Sequence, residues 1–586
     1  MTTPASGSGS TQETPPTAPA EINPSLNVER LGKSSSMQGA TLTAPHPDLE
    51  SAPWWQKGVI YQIYPRSFQD SDGDGIGDLR GIINRLDDLK KLGVDAIWLS
   101  PFYKSPLKDF GYDIADYTDI APEYGTLATF DEMVAAAHAR DIKVIIDYVP
   151  NHTSDEHDWF DESRMSADNA KSDWYIWKDK KPDGSRPNNW GSMFGGPAWT
   201  WDETRQQYYF HQFDPGQPDL NWRNPAVLDA MLNVLRFWMS HGVDGFRMDV
   251  VYMVWKHPDM PDQPLNDKGW VRGEEDIYGQ QQQIYAFNYE GIHDVMRAIR
   301  KTLDEHDAMA VGEIWLELAE RMKYYGQNDE LHLPFNFGLI PSVTFDESRP
   351  LKAQEVRQIV EEYEAALPDG AWGNWVMGSH DVSRVASRVG GEAAARVAAM
   401  LLLTLRGTPT IYQGEEIGMT NGTLQAEHIR DPQGIRLGAA MNRDRCRAPM
   451  QWEGVEGGGF TDGSPWLPLN EDHLTRSVST LRSDPRSIYT LYQQLLAVRH
   501  ASAALSIGSY KTLPTTGGLY AYERAHANER YQIWLNLSEE TLDEIPLSEE
   551  GQVVLTTYLD MQNRPVAGIL PLRPWEGMII RVGSGT

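Results

Sequence analysis

From Trp54 onward, short apolar strand-like runs alternate with amphipathic helical stretches. No other feature limits the fold as strongly, because strands separated by helices pair in parallel. Eight runs carry the pattern: Val59–Phe68, Val94–Pro101, Ile142–Pro150, Val243–Val250, Met309–Trp315, Pro334–Ile340, Gly373–Asp381 and Thr408–Ile417. Helices are predicted at Leu79–Gly93, from a capping box at Thr129-Phe130-Asp131-Glu132, and from the cap Asn224 with Pro225 in the first turn to Gly242. The last is predicted at Ile488–His500. Eight strands, each followed by a helix, close naturally into a (β/α)8 barrel, an α/β fold.

Two stretches break the rhythm. Between His152 and Gln217 the chain is rich in Trp, Asp, Gly and Pro and too long for a βα loop, so a small subdomain inserted after the third strand is expected. Beyond Ser502 short alternating runs, Leu519–Arg524, Tyr531–Asn536 and Met578–Val582, predict an antiparallel β domain. The expected organisation is a disordered tail over 1–52, a barrel over 53–152 and 217–501, the insert over 153–216, and the β domain over 502–586. The tail is rich in Ser, Thr, Pro and Gly and lacks a signal-peptide core, so a cytoplasmic location is expected.

Function in such a barrel gathers where strands end. Asp147 and His152 follow strand three, Arg247 and Asp249 end strand four, Glu313 ends strand five, and His380 with Asp381 end strand seven. An acid at the end of an apolar strand needs a reason, because an unpaired buried charge is costly. Any one of them is as readily an ion-pair partner as a catalyst; their convergence on one rim argues for chemistry. Glycosidic bond cleavage uses such a pair, one carboxylate to attack and one acid to protonate the leaving oxygen. Arg247 lies two residues before Asp249, on the same strand face, where it can keep that aspartate ionised and oriented.

Composition agrees. A net charge of −31 disfavours nucleic acid and membrane surfaces and is compatible with a neutral substrate. A single cysteine, Cys446, excludes an internal disulfide framework.

Asp147-Tyr-Val-Pro-Asn-His152, Gly245-Phe-Arg-Met-Asp249, Gly312-Glu313 and His380-Asp381 resemble the signature regions of the α-amylase family of glycoside hydrolases. Gly93–Pro101, Gln217-Pro-Asp-Leu-Asn-Trp222 and Gly407-Thr-Pro-Thr-Ile-Tyr412 extend the likeness over about residues 54 to 580. Gln217–Trp222 together with Arg443–Trp452 points to the α-glucosidase and oligo-1,6-glucosidase branch. The resemblance implies Asp249 as nucleophile, Glu313 as acid/base and Asp381 as a third carboxylate gripping sugar hydroxyls. For terminal glucose it nominates Asp109, Tyr112, His152, His380 and Arg447, with Tyr112 stacking on the ring and Asp109 and Arg447 closing the pocket. Phe194, Phe213, Gln217, Phe337 and Arg443 would line the pocket or its entrance, core packing being an equal alternative for the aromatics. Retention of configuration would place the Asp249 and Glu313 carboxyls about 5–5.5 Å apart.

Asp70-Ser-Asp72-Gly-Asp74-Gly-Ile76-Gly-Asp78 sets oxygens at alternating positions around a glycine-rich turn, as a hard cation prefers. Gly81 at the twelfth position rules out an EF-hand. The resemblance implies a structural Ca2+ site, or Mg2+, with Ile76 ligating through its carbonyl; the alternative is a metal-free acidic turn.

The expected activity is that of a retaining, exo-acting α-glucosidase on small neutral α-glucosides, the protein being a monomer or weak homo-oligomer. An oligo-1,6-glucosidase or transglucosylase is the alternative, and Val250, beside the nucleophile, leans toward α-1,6 cleavage in related enzymes. A transporter-associated scaffold that keeps the barrel without the acids is the non-enzymatic alternative; the three retained carboxylates argue against it.

Overall fold

The computed structural model describes residues 47–266, 275–340, 345 and 348–583. Eight parallel strands form one sheet: β1 Ile60–Ile63, β2 Ala96–Leu99, β3 Lys143–Tyr148, β4 Gly245–Met248, β5 Met309–Gly312, β6 Leu333–Pro334, β7 Asn374–Val376 and β8 Thr408–Tyr412. They are ordered β6-β5-β4-β3-β2-β1-β8-β7, a barrel closed except for a ladder between β6 and β7. Its interior is filled by inward side chains, among them Ile60, Trp98, Ile145, Val311 and Leu333.

Each strand is shorter than its apolar run. Strand four, predicted to reach Val250, leaves the extended conformation after Met248, and Val250 sits in the left-handed region at φ 34° and ψ 38°. A β-branched residue is strained there. The turn swings the chain away immediately after Asp249. Strand six keeps only two residues, Leu333–Pro334, and begins one residue before its predicted run.

Local chemistry explains the helix ends. Helix Leu79–Leu92 is capped by the Asp78 carboxylate, which accepts from the Gly81 N–H, and stops at Gly93 with φ 105°. Its buried face, Ile82, Leu86 and Leu89, recurs at helical spacing. The next helix starts earlier than the predicted box: Thr126 is the cap, accepting from the Thr129 N–H, and the helix spans Leu127–His138. Asn224 caps Pro225–Ser240 as its sequence implies, accepting from the Ala226 N–H.

The stretch after strand three carries helix Asp158–Met165 and a three-stranded antiparallel sheet of Trp177–Lys178, Gln207–Phe210 and Trp199–Asp202. Beyond the helix Ile488–His500, a six-stranded antiparallel sheet contains Leu519–His526, Glu529–Asn536 and Gly577–Val582. The tail expected over 1–52 lies mostly outside the described residues. Its last part is not disordered, since Pro47–Ser51 is helical and Leu49 is buried. Among the described residues no helix is long and apolar enough to cross a membrane.

Candidate active site

The ladders of β3, β4 and β5 end level with one another. The Asp249 N–H bonds to Tyr148 O and the Glu313 N–H to Met248 O, each at 2.9 Å, so both acids emerge on the same rim one residue past their strands. Alternation along β4 turns Arg247 and Asp249 inward. The Arg247 guanidinium, 3% exposed, donates to Asp147 at 2.8 Å and Asp249 at 2.7 Å through Nη1, and to Glu313 Oε2 through Nη2. One planar fork thus contacts both acids. Glu313 Oε2 also accepts the Val250 N–H at 3.3 Å, and Oε1 accepts the Trp315 indole N–H at 2.7 Å.

Asp381 completes the cluster. Its Oδ1 accepts from Arg447 at 2.9 Å and lies 3.4 Å from Arg443, and its Oδ2 is 3.0 Å from His380 Nε2. Burial alone would raise this carboxyl. His380 and the Arg443 and Arg447 guanidiniums outweigh it and hold Asp381 well below the usual carboxylate range. His380 Nδ1 receives the Gln62 amide at 2.7 Å, which puts its proton on Nε2, toward Asp381 and the Tyr112 hydroxyl. Burial keeps that imidazole neutral, far below its ordinary pKa.

Asp249 moves the other way. Burial, followed by the charges of Glu313, Asp147 and Asp381, lifts it well above the ordinary value against the pull of Arg247. Asp147 is pushed up to about 6 by burial, offset by Arg247.

A cavity of about 320 Å3 is lined by Asp249, Glu313 and Asp381 together with Asp109, Tyr112, His152, Phe194, Phe213 and Arg443. Other residues named from the sequence lie behind it. His380 and Arg447, buried and absent from the lining, brace Asp381 and Tyr112; Arg447 Nε donates to the His380 carbonyl at 2.9 Å. Gln217, fully buried, donates to Asp109 Oδ2 at 3.1 Å. Arg443, expected at the pocket lining or entrance, lines the cavity and contacts Asp109 at 2.7 Å. Tyr112 lines the cavity but stacks on His380, the rings 5.5 Å apart and parallel within 2°. Phe337 stacks on Trp315 at 3.8 Å outside this lining. His152, held neutral by burial with its pKa lowered to about 4, faces the cavity.

Trp315 and Asp431 were not expected. Trp315 could have been found, since it sits two residues after Glu313 and so on the same side of the chain. Asp431, bonded to Arg443 through Nε at 3.0 Å and Nη2 at 2.7 Å, carries no comparable signal.

The model of the α-amylase catalytic domain matches residues 62–508. The chain belongs to the α-amylase family. A probable α-glucosidase of Rhizobium meliloti (strain 1021) is 41% identical over 546 residues, covering 90% of this chain and 97% of the relative. An oligo-1,6-glucosidase of Heyndrickxia coagulans is 40% identical, covering 90% and 99%. Among solved structures, the α-glucosyl transfer enzyme XgtA superposes with a TM-score of 0.84 at 39% identity, covering 91% of this chain and all of its own. The trehalulose synthase MutB from Pseudomonas mesoacidophila MX-45 does so with 0.82 at 35% identity, over 91% and 100%. This α-amylase-family chain is therefore a glycoside hydrolase by descent, and all three acids are in place.

In the acidic loop, Asp70, Asp72 and Asp78 bring carboxylate oxygens within 4.8 Å of one another. Asp74 does not join them; its Oδ1 accepts the Ile76 N–H at 2.8 Å. Asp70 is tied down by the N–H groups of Asp72, Gly73 and Gly75 and by the Thr461 hydroxyl, which outweigh burial and lower its pKa. Preorganised hard oxygens suit a divalent cation.

Proposed function

We propose that this protein is a retaining, exo-acting α-glucosidase that releases terminal glucose from disaccharides and short oligosaccharides. The observation that carries the reading is one guanidinium, Arg247, joining Asp249 and Glu313 at the wall of a cavity that Asp381 also lines.

Asp249 attacks the anomeric carbon while Glu313 gives its proton to the departing oxygen. Arg247 pulls against the burial that raises Asp249 and so steadies it in the ionised form the attack needs. Glu313, now a carboxylate, takes a proton from water, which displaces Asp249 and restores the α configuration. Asp381, ionised, binds sugar hydroxyls. Asp109 and Arg443 offer acceptor and donor to hydroxyls remote from the cleaved bond, and His152 and Tyr112 complete the collar. A pocket closed by the Asp109–Arg443 pair would admit only the non-reducing terminus.

Calcium held by Asp70, Asp72 and Asp78 would stiffen the first βα loop, away from the reacting atoms. A cytoplasmic, monomeric protein fits the acidic composition.

The test is proton NMR of the first product from maltose, isomaltose and sucrose. The α-anomer of glucose should appear before mutarotation; the β-anomer, or no glucose from any of the three, would overturn the reading. The rates also rank the linkages. Val250 beside the nucleophile and the names of the relatives favour a share of α-1,6 cleavage or glucosyl transfer.

A further inference from the structure

A second cavity, of about 300 Å3, lies where the inserted subdomain meets the barrel, and it shares no lining residue with the active-site cavity. Its wall takes Lys178 and Arg205 from the insert, Arg223 from the run before helix Pro225–Ser240, and Lys256 and His257 from the chain after β4. Among the described residues, Asp173 is the one acid in this lining, and it already accepts from the Asn224 amide at 2.9 Å. In a chain of net charge −31 such a wall runs against the average, and solubility does not account for it.

Lys256 is neutralised, since its Nζ meets Asp219 at 2.6 Å. The other three charges are not. Among the described residues, no carboxylate oxygen lies within 4.0 Å of Lys178, Arg205 or Arg223. Both guanidiniums are nonetheless fixed in place. Arg205 donates to the carbonyls of Ser163, Ser166 and Ser172 and lies over the Trp177 ring at 4.6 Å. Arg223 donates to Lys256 O at 2.7 Å and lies over the Trp255 ring at 4.7 Å. The wall is also rich in donors. Trp255 Nε1 is buried without a partner, and His257 Nδ1 accepts the Asp259 N–H at 3.1 Å, which puts the ring proton on Nε2. Uncompensated cations and spare donors around an enclosed space call for an anion made of acceptors. A phosphate group supplies three acceptor oxygens and close to two charges, which a single carboxylate does not. The volume leaves room for a small organic part beside it.

We propose that this cavity, between the insert and the barrel, is a second ligand site that takes phosphate or a small phosphate-bearing molecule. It stands independently of the glucosidase reading.

The test is isothermal titration calorimetry of the full chain, freed of divalent ions with EDTA, at an ionic strength held constant with potassium chloride. The ligands are inorganic phosphate and glycerol 3-phosphate, neither of which offers the active-site cavity a glucose ring. Saturable one-to-one binding with a Kd of about 1 mM or tighter is expected. Tighter binding of glycerol 3-phosphate identifies the occupant as a phosphorylated metabolite, and equal binding identifies it as free phosphate. Arg223→Gln and Lys178→Gln should each weaken the binding about tenfold, as loss of a charge-assisted hydrogen bond does. The fitted stoichiometry reports the folded fraction of each variant. Neither saturable heat nor a rise in Tm with either ligand, or a Kd unmoved in both variants, overturns the proposal.

Discussion

The Trp315 indole N–H donates to Glu313 Oε1 at 2.7 Å, and the indole is itself pinned against Phe337 with ring centroids 3.8 Å apart. Glu313 is thereby gripped at both oxygens, by Trp315 on one and by Arg247 and the Val250 N–H on the other. A side chain held in this way delivers its proton along one line. Trp315→Phe keeps the stack and removes the donor. It should lower kcat/KM on maltose by about 10–100-fold, the worth of a hydrogen bond to a charged group. A p-nitrophenyl glucoside, whose leaving group needs little protonation, should suffer far less. Equal losses on both substrates would show that Trp315 shapes the cavity and does not aim the acid.

Replacing the acids separates their roles. Asp249→Ala should reduce turnover on every substrate by several orders of magnitude, because no covalent step remains. Glu313→Gln should cost as much on maltose and much less in the first step on the activated aryl glucoside, where it leaves an accumulating glucosyl-enzyme visible by mass spectrometry. Circular dichroism should be native in both. Near-normal rates in either variant would remove that residue from the mechanism.

Much of this was legible because the barrel advertises itself. Each strand is an apolar run, and the acids interrupt those runs at their ends. Strand lengths were not legible, since hydrophobicity continues past the ladder: Val250 is apolar yet lies in a left-handed turn. The protein partners of His380, Arg447 and Gln217 were not legible for a related reason. A polar side chain beside a sugar pocket serves equally well to hold another polar side chain, and only coordinates show that these three face Asp381, Tyr112 and Asp109. Asp431 escaped notice because its partner, Arg443, is twelve residues away across a helix and loop.

The acidic loop invites a measurement independent of catalysis. If Asp70, Asp72 and Asp78 hold a divalent ion, calcium at about 100 times its Kd should add about 2.7 kcal/mol to stability and raise Tm. Asp72→Ala should abolish that rise while leaving kcat/KM on maltose unchanged, since the ion stands outside the proposed chemistry. A Tm indifferent to both EDTA and calcium would identify the loop as a metal-free turn braced by its own N–H groups.

A last test concerns an acid that the proposed mechanism does not use. Glu415 follows β8, buried beside Glu416, and burial pushes its pKa up to about 8. In the unfolded chain a glutamate titrates near 4.3. Between these values the native protein binds a proton that the unfolded chain has lost, so stability falls as pH rises through the window and levels off above about 8. The stabilising share of the protonated form is complete below pH ~4.3. Glu415→Gln removes the titration. The stability of this variant relative to the parent should therefore increase steadily from pH ~4.5 to 8, by a total on the order of 3–5 kcal/mol, and then stay constant. Urea melts at half-unit steps of pH measure this directly. A difference independent of pH would mean that Glu415 is ionised in the native protein and paired with Arg388.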